Sequence, residues 1–320
     1  MVKAKKDLSI VFMGTPKFAT TILERIIQEE YNIKAVITAP DRPAGRGQKL
    51  SESDVKKCAK QNNIEVLQPT NLKDEQFIEG LQSYQADLFV VVAFRMLPEA
   101  VWRMPALGTF NLHGSLLPQY RGAAPINWAV INGETKTGVT TFFIDEKIDT
   151  GEIILNREME IGENETAGEV HDRMMLLGAD VVIETIELIR KGIAQAQPQP
   201  KGTHKPAPKI FKQDCLVDFT LSIEDIHNFI RGLSPYPTAW IKLKMKENDQ
   251  TKTMKIFKTS ILNKEKNDKI FLENRNGEFL LNLLDGTISL HNVQLEGKKR
   301  LKSQDFLLGF SPNEWSIIID

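Results

Sequence analysis

At 320 residues the chain is too long for one small core and matches two domains of ordinary size. With 41% hydrophobic and 26% charged residues it has an ordinary globular composition, and a net charge of −1 gives no overall field pointing to nucleic acid, membrane or an acidic partner. The charge is uneven: residues 1–206 carry 24 basic and 27 acidic side chains (−3), and residues 207–320 carry 17 and 15 (+2).

The first 110 residues alternate short apolar runs with amphipathic segments. A strand at 8–13 and a Gly14-Thr15-Pro16 turn lead into a helix over 17–30, where Phe18, Ile22, Ile26 and Ile27 recur at helical spacing. A strand at 33–38, a polar Gly/Pro loop and a helix over 52–61 follow. Next come a strand at 65–68, a helix over 74–84 and a strand at 88–93. The run Leu88-Phe-Val-Val-Val-Ala93 is apolar throughout, as a strand covered on both faces should be. Strands alternating with helices predict a parallel, right-handed, doubly wound, Rossmann-like sheet, so the fold class is α/β.

Further strands are expected at 109–112, 139–144 and 153–159, with helices over 124–131 and 166–191. Residues 194–208 hold several prolines and no periodicity, and are expected to be a linker between domains 1–193 and 209–320. Ser222–Gly232 reads as a capped helix: Ser222 can cap, Glu224 and Asp225 sit in the first turn, and Gly232 ends it. From Trp240 onward, five runs of alternating apolar and polar residues with Asn/Gly turns predict a small antiparallel, OB-like β-barrel.

Several chemistries fail on detail. Cys58 and Cys215 are far apart, which excludes a disulfide scaffold and a cysteine-ligated metal centre and fits a reducing compartment. His171, His204, His227 and His291 are scattered over helix, linker and tail, so each is expected to be a surface or packing residue and no metal site is expected. No apolar run approaches the roughly 20 residues that span a bilayer. The apolar stretch at 8–13 is too short for a signal peptide, so no membrane association and a cytoplasmic location are expected. Gly14-Thr15-Pro16 lacks the three glycines of the dinucleotide fingerprint. Asp149-Thr150-Gly151 is the aspartic-protease tripeptide, but that chemistry needs two such carboxylates sharing a proton, and no second copy exists.

The most informative stretch is F-N-L-H-G-S-L-L-P-Q-Y-R-G-A-A-P-I (110–126). Asn111 and His113 alternate with apolar residues at the carboxyl end of a predicted strand, so both face one side at the sheet edge where open α/β sheets bind ligands. An amide there can donate to an oxyanion, and an imidazole titrates near neutrality. A polar strand end packed on a turn accounts for the pair equally well on these residues alone. Gly114, Gly122, Pro118 and Pro125 favour a closely approached ligand.

This segment resembles the signature of the folate-dependent formyltransferases, and its form S-L-L-P-Q-Y-R-G-A-A-P-I is that of members acting on methionyl-tRNA. The opening I-V-F-M-G-T-P (10–16), the loop P-D-R-P-A-G-R-G-Q-K (40–49), I-D-T-G-E-I-I (148–154) and A-P-K-I (207–210) fit the same family. The resemblance implies a catalytic triplet of Asn111, His113 and Asp149. It implies 10-formyltetrahydrofolate as co-substrate, held against Ser115, Leu116, Leu117 and Pro118, and methionyl-initiator tRNA as acceptor. Arg42, Arg46 and Lys49 in the 40–49 loop would meet the tRNA, as would Lys242, Lys244 and Lys298 on the barrel; residues 242–269 hold nine basic and four acidic side chains. A monomer with no obligatory protein partner is expected by resemblance. Phe94-Arg95 and Pro206 depart from the family pattern, the former on the donor-side wall. The rivals are a formyltransferase for a small amine, such as a sugar nucleotide or glycinamide ribonucleotide, a hydrolase of formylfolate, and a non-catalytic tRNA-binding protein. The last would be expected to have lost the triplet, which is present.

Overall fold

The computed structural model describes residues 3–44 and 49–319, which divide into two compact units: 3–44 and 49–122 with 138–159 and 171–206, and 123–137 with 160–170 and 207–319. In chain order the elements reaching the first sheet's last strand are β1 (Ser9–Gly14), α1 (Lys17–Gln28), β2 (Asn32–Ile37), β3 (Arg42–Ala44), β4 (Lys49–Ser51), α2 (Asp54–Gln61), β5 (Glu65–Leu67), α3 (Glu75–Ser83), β6 (Leu88–Val92), α4 (Glu99–Trp102), β7 (Thr109–His113), β8 (Arg121–Gly122), α5 (Pro125–Ile131), β9 (Lys136–Phe143) and β10 (Ile153–Glu160).

The first unit is built on a seven-stranded sheet of order β10-β9-β7-β6-β1-β2-β5. Strands β5, β2, β1, β6 and β7 are mutually parallel, with α1, α2 and α3 crossing between them. Val11, Met13, Ala35, Ile37, Phe89 and Val91 share one sheet face and pack with Leu81 of α3 and Val101 of α4. Ile10, Phe12, Val36 and Val90 on the other face are also buried, which is why these strands read as continuous apolar runs. Ser53 and Asp74 cap α2 and α3, their side chains accepting the N–H groups of Lys56 and Phe77 at 3.1 and 3.0 Å.

One expectation is extended and one is corrected. The sheet is parallel over the strands of the first 110 residues, as expected, and continues into β9, which runs antiparallel to β7. A parallel neighbour needs a helical crossover over the sheet, and the helix available there, α5, packs with α7 in the second unit. The 40–49 segment is not simply a loop, because β3 and β4 form an antiparallel hairpin pairing Arg42 with Ser51.

The remaining elements are α6 (Ala167–Arg190), β11 (Pro206–Ala207), α7 (Ile223–Gly232), β12 (Ala239–Met245), β13 (Thr251–Asn263), β14 (Phe271–Arg275), β15 (Glu278–Leu283), β16 (Gly286–Leu295), β17 (Leu301–Lys302), α8 (Ser303–Leu307) and β18 (Trp315–Ile318). The second unit is an antiparallel sheet of order β14-β15-β16-β13-β12-β18. Its edge strands β14 and β18 approach one another, giving a nearly closed, OB-like barrel. Alternate residues point inward: Ala239, Ile241 and Leu243 of β12, Met254 and Ile256 of β13, and Leu281 and Leu283 of β15 share a core with Ile223, Ile226 and Ile230 of α7. Phe306, Phe310 and Trp315 close one end, with ring centroids 4.6 and 5.8 Å apart along that series. Sequence reading missed α4, α8 and β18, each too short to show a period. Among the described residues no helix is long and apolar enough to cross a membrane.

Candidate active site

Within the first unit, β7 delivers Asn111 and His113 to the carboxyl end of the parallel strands. Asn111 sits between Val91 of β6 and Phe142 of β9, and His113 lies opposite Thr140. The chain then turns through Ser115–Pro118, with a cis Leu117–Pro118 peptide bond. Thr140 pins this turn: its hydroxyl donates to the Ser115 carbonyl at 2.7 Å and accepts the Leu117 N–H at 3.1 Å.

His113 is 6% exposed. Its Nε2 lies 2.8 Å from the Tyr120 carbonyl oxygen. A carbonyl can only accept, so Nε2 carries the hydrogen and Nδ1 is the nitrogen left to exchange a proton. Nδ1 faces Asp149 Oδ2 at 3.7 Å, an ion-pair distance when the ring is protonated but too long for a direct hydrogen bond. The same oxygen accepts the Gly122 N–H at 2.9 Å. The ring is therefore oriented from its far side by the Tyr120 main chain, and the carboxylate by the Gly122 main chain. Asn111 is half-buried, and its side-chain amide makes no hydrogen bond among the described residues. Its donors are open to a ligand oxygen.

Asp149 has φ of +56°, a left-handed conformation that costs a non-glycine residue about 1 kcal/mol. The turn is held within by the Thr150 hydroxyl, which donates to Asp145 Oδ1 at 2.7 Å. Gly151 is required next to it: a Cβ there would lie 1.6 Å from the Phe143 carbonyl oxygen. Beside the turn is an open cavity of about 740 Å³, whose lining includes Trp102, Arg121, Thr150, Gln199, Lys201 and His204. The Nδ1 of His204 is buried without a hydrogen-bond partner.

The structure thus brings Asn111, His113 and Asp149 together. Of the four residues expected on the donor side, Ser115 and Leu117 are buried, and the Ser115 hydroxyl donates to the Gln119 carbonyl at 2.6 Å. Leu116 and Pro118 are half-buried. Arg95 is anchored on the carbonyls of Pro69 and Thr70, 3.0 Å from the latter. Gly14 is a packing glycine, because a Cβ there would meet Ala19 Cβ at 2.5 Å, so the turn lets α1 approach β1 closely. Tyr120 and Gln199 were missed by sequence reading, the first because it acts through a main-chain atom; Gly122 was expected as a close-approach glycine, and the structure adds the bond from its N–H to Asp149.

The basic residues are dispersed. Arg42 is exposed on β3, and Arg46 and the side chain of Lys49 lie outside the described residues. Lys242 and Lys244 alternate with inward Ile241 and Leu243 on β12, on the outer side of the sheet, and Lys244 pairs with Asp249 at 2.8 Å. Lys298 is exposed in the turn after β16. Among the other histidines, His171 packs edge-on against Phe18, His291 bonds Ser260 at 2.8 Å, and buried His227 bonds the Thr259 hydroxyl at 2.9 Å. Burial pushes the His227 imidazole below its ordinary pKa. Among the described residues no group of three or more His, Cys, Asp or Glu side chains could hold a metal ion.

The two-unit α/β-plus-barrel fold, with an amide, imidazole and carboxylate at the sheet edge, is matched by two family models, "Formyl transferase" over residues 8–186 and "Formyl transferase, C-terminal domain" over 209–311. The chain belongs to the formyltransferase family. Within it, the chain is 51% identical over 308 residues to the methionyl-tRNA formyltransferase of Flavobacterium johnsoniae, covering 96% of this chain and 97% of that protein. It is 49% identical over 318 residues to that of Bacteroides fragilis (strain ATCC 25285), covering 97% of each. Among solved structures, the sugar 3N-formyltransferase WlaRD, determined in the presence of dTDP and 5-N-formyl-THF, superposes with a TM-score of 0.64 at 22% identity, covering 91% of this chain and 99% of that one. That likeness shows the shared fold.

Proposed function

We propose that this protein transfers the formyl group of 10-formyltetrahydrofolate to the free amino group of methionyl-initiator tRNA, with Asn111, His113 and Asp149 as its catalytic residues. The observation that carries this is the convergence of those three side chains in a chain whose near-full-length relatives are methionyl-tRNA formyltransferases.

The reaction is acyl transfer between nitrogens. The amine lone pair attacks the formyl carbon, the bond from that carbon to the donor nitrogen breaks, and a proton passes from the attacking nitrogen to the leaving one. The unpartnered Asn111 amide donates to the oxygen as negative charge builds on it, a contribution typically worth about 10²–10³ in rate. His113 receives the proton at Nδ1, since Nε2–H is already committed to Tyr120, and passes it to the leaving nitrogen. Asp149, 3.7 Å away, is the counter-charge while Nδ1 is protonated. No serine or cysteine nucleophile is required. Leu116 and Pro118 offer the donor an apolar surface, and the buried Ser115 and Leu117 fix the main chain beneath it.

Arg42, Arg46 and Lys49 would contact the acceptor end of the tRNA, and Lys242, Lys244 and Lys298 its phosphates. On this account residues 1–193 perform the chemistry, 194–208 link, and 209–320 bind tRNA. The protein acts in the cytoplasm as a monomer without a metal, and sedimentation of the purified protein tests the oligomeric state. The functional test is formyl transfer to methionyl-initiator tRNA beside methionyl-elongator tRNA, free methionine and an amino-sugar nucleotide. Transfer to the initiator alone supports the proposal. Transfer to the sugar nucleotide, with none to tRNA, overturns it in favour of a small-amine acceptor.

A further inference from the structure

We infer that Gln199 is a positioning residue for Asp149, so that the proline-rich segment expected only to tether the two domains also sets the geometry of the catalytic turn. This rests on the proposed role of Asp149. The Asp149 backbone is held in the left-handed region, φ +56°, where its own conformational preference does not keep it. The Gln199 side-chain amide supplies the restraint. Its Nε2 donates to the Asp149 carbonyl at 3.0 Å and to the Gly151 carbonyl at 2.9 Å, so both N–H bonds straddle the turn. Its Oε1 accepts from Arg121, at 3.1 Å from Nε and 2.5 Å from Nη2.

Every polar atom of the amide is therefore used, and the bonds close a ring. Arg121 is followed by Gly122, whose N–H holds the Asp149 carboxylate at 2.9 Å. Main chain and side chain of one residue are thus fixed from one neighbourhood. Gln197 keeps Gln199 in place through paired main-chain bonds with Ile153, of 2.8 and 2.9 Å. Asp149 Oδ2 has no direct hydrogen bond to His113 across the 3.7 Å gap, so nothing in the pair itself corrects a displaced carboxylate. A small rotation at φ would move that oxygen relative to Nδ1, and misplacements near 1 Å can cost up to about 10² in rate.

A staple that merely docks the segment makes a different prediction from a positioning residue. Gln199→Glu keeps the length and the acceptor for Arg121 but has no N–H to donate, and Gln199→Leu removes both. The test is steady-state formyl transfer by both variants, with and without Asp149→Ala, alongside thermal melts. Positioning predicts that Gln199→Glu and Gln199→Leu both lower kcat about tenfold with each substrate's KM within about twofold. It also predicts that Gln199→Glu costs nothing further once Asp149 is alanine, because coupled residues are non-additive. Near-normal kcat in folded Gln199→Glu, or a full tenfold loss persisting in the Asp149→Ala background, overturns it. Should folded Asp149→Ala itself turn over normally, the catalytic assignment fails first and the inference falls with it.

Discussion

The Asp149 turn and the basic face of the barrel are built on opposite principles. Around His113 and Asp149 every orienting contact is a short bond from a half-buried or buried atom, and most of those atoms are main chain: Tyr120 O, Gly122 N, and the Asp149 and Gly151 carbonyls. On the barrel, Lys244 and Lys298 are exposed, and Lys244 already answers Asp249. Exposed pairs of this kind are worth about 0–1 kcal/mol each. The first region depends on geometry, so single substitutions should act sharply on kcat. The second depends on summed charge, so its effects should be graded, salt-dependent and confined to KM for tRNA.

The sharpest break between the two comes from the triplet. His113→Ala and Asn111→Ala are each expected to lower kcat by about 10² or more with the fold intact, read by single-turnover transfer beside circular dichroism. Gly151→Ala is next, and acts on stability. With its Cβ 1.6 Å from the Phe143 carbonyl the turn must shift, and a loss of about 3 kcal/mol or more in a denaturant melt is expected.

Acid sensitivity also separates the units. Tyr31 donates to Glu187 Oε1 at 2.5 Å and Arg190 Nη2 bonds its Oε2 at 2.6 Å, and these hydrogen bonds, Arg190 first, hold the Glu187 carboxyl down to about 2. A folded-state value below the unfolded one adds stability above the unfolded pKa that is lost as pH falls from about 5 towards 2. The first unit should lose up to about 3 kcal/mol in that window, and Glu187→Gln should flatten the loss. For the second unit, burial lowers the His227 imidazole, so the unfolded chain binds its proton first. Its stability should therefore begin to fall below about pH 6.5, and His227→Gln should remove that early decline.

The smallest effects belong to the charged surface. Exchanging Lys242, Lys244 and Lys298 together for glutamine should raise KM for tRNA severalfold, flatten its dependence on salt, and leave kcat unchanged. An unchanged KM would remove the barrel face from the account.

The parallel core was legible in the sequence because strands covered on both faces carry few polar residues, so 88–93, and 8–13 with Ser9 alone polar, declare themselves. The barrel was legible for the opposite reason, the strict alternation of inward Ile241 and Leu243 with outward Lys242 and Lys244. The antiparallel β9 was not, because strand direction depends on where the intervening helix packs, which no local pattern records. Asn111, His113 and Asp149 were legible as a motif. The Tyr120 carbonyl was not, nor was the bond from the Gly122 N–H to Asp149, although Gly122 itself stood out as a close-approach glycine, since a carbonyl or an N–H is common to nearly every residue. Gln199 sat in a segment without periodicity, and only the fold shows its amide spanning the Asp149 turn.

The most direct test of the central claim is a single-turnover measurement of formyl transfer from 10-formyltetrahydrofolate to methionyl-initiator tRNA by the intact protein and by His113→Ala, both saturated with tRNA. The account predicts rapid transfer by the former and a rate lower by about 10² or more in the latter, with tRNA affinity unchanged. Equal rates in the two proteins would contradict it.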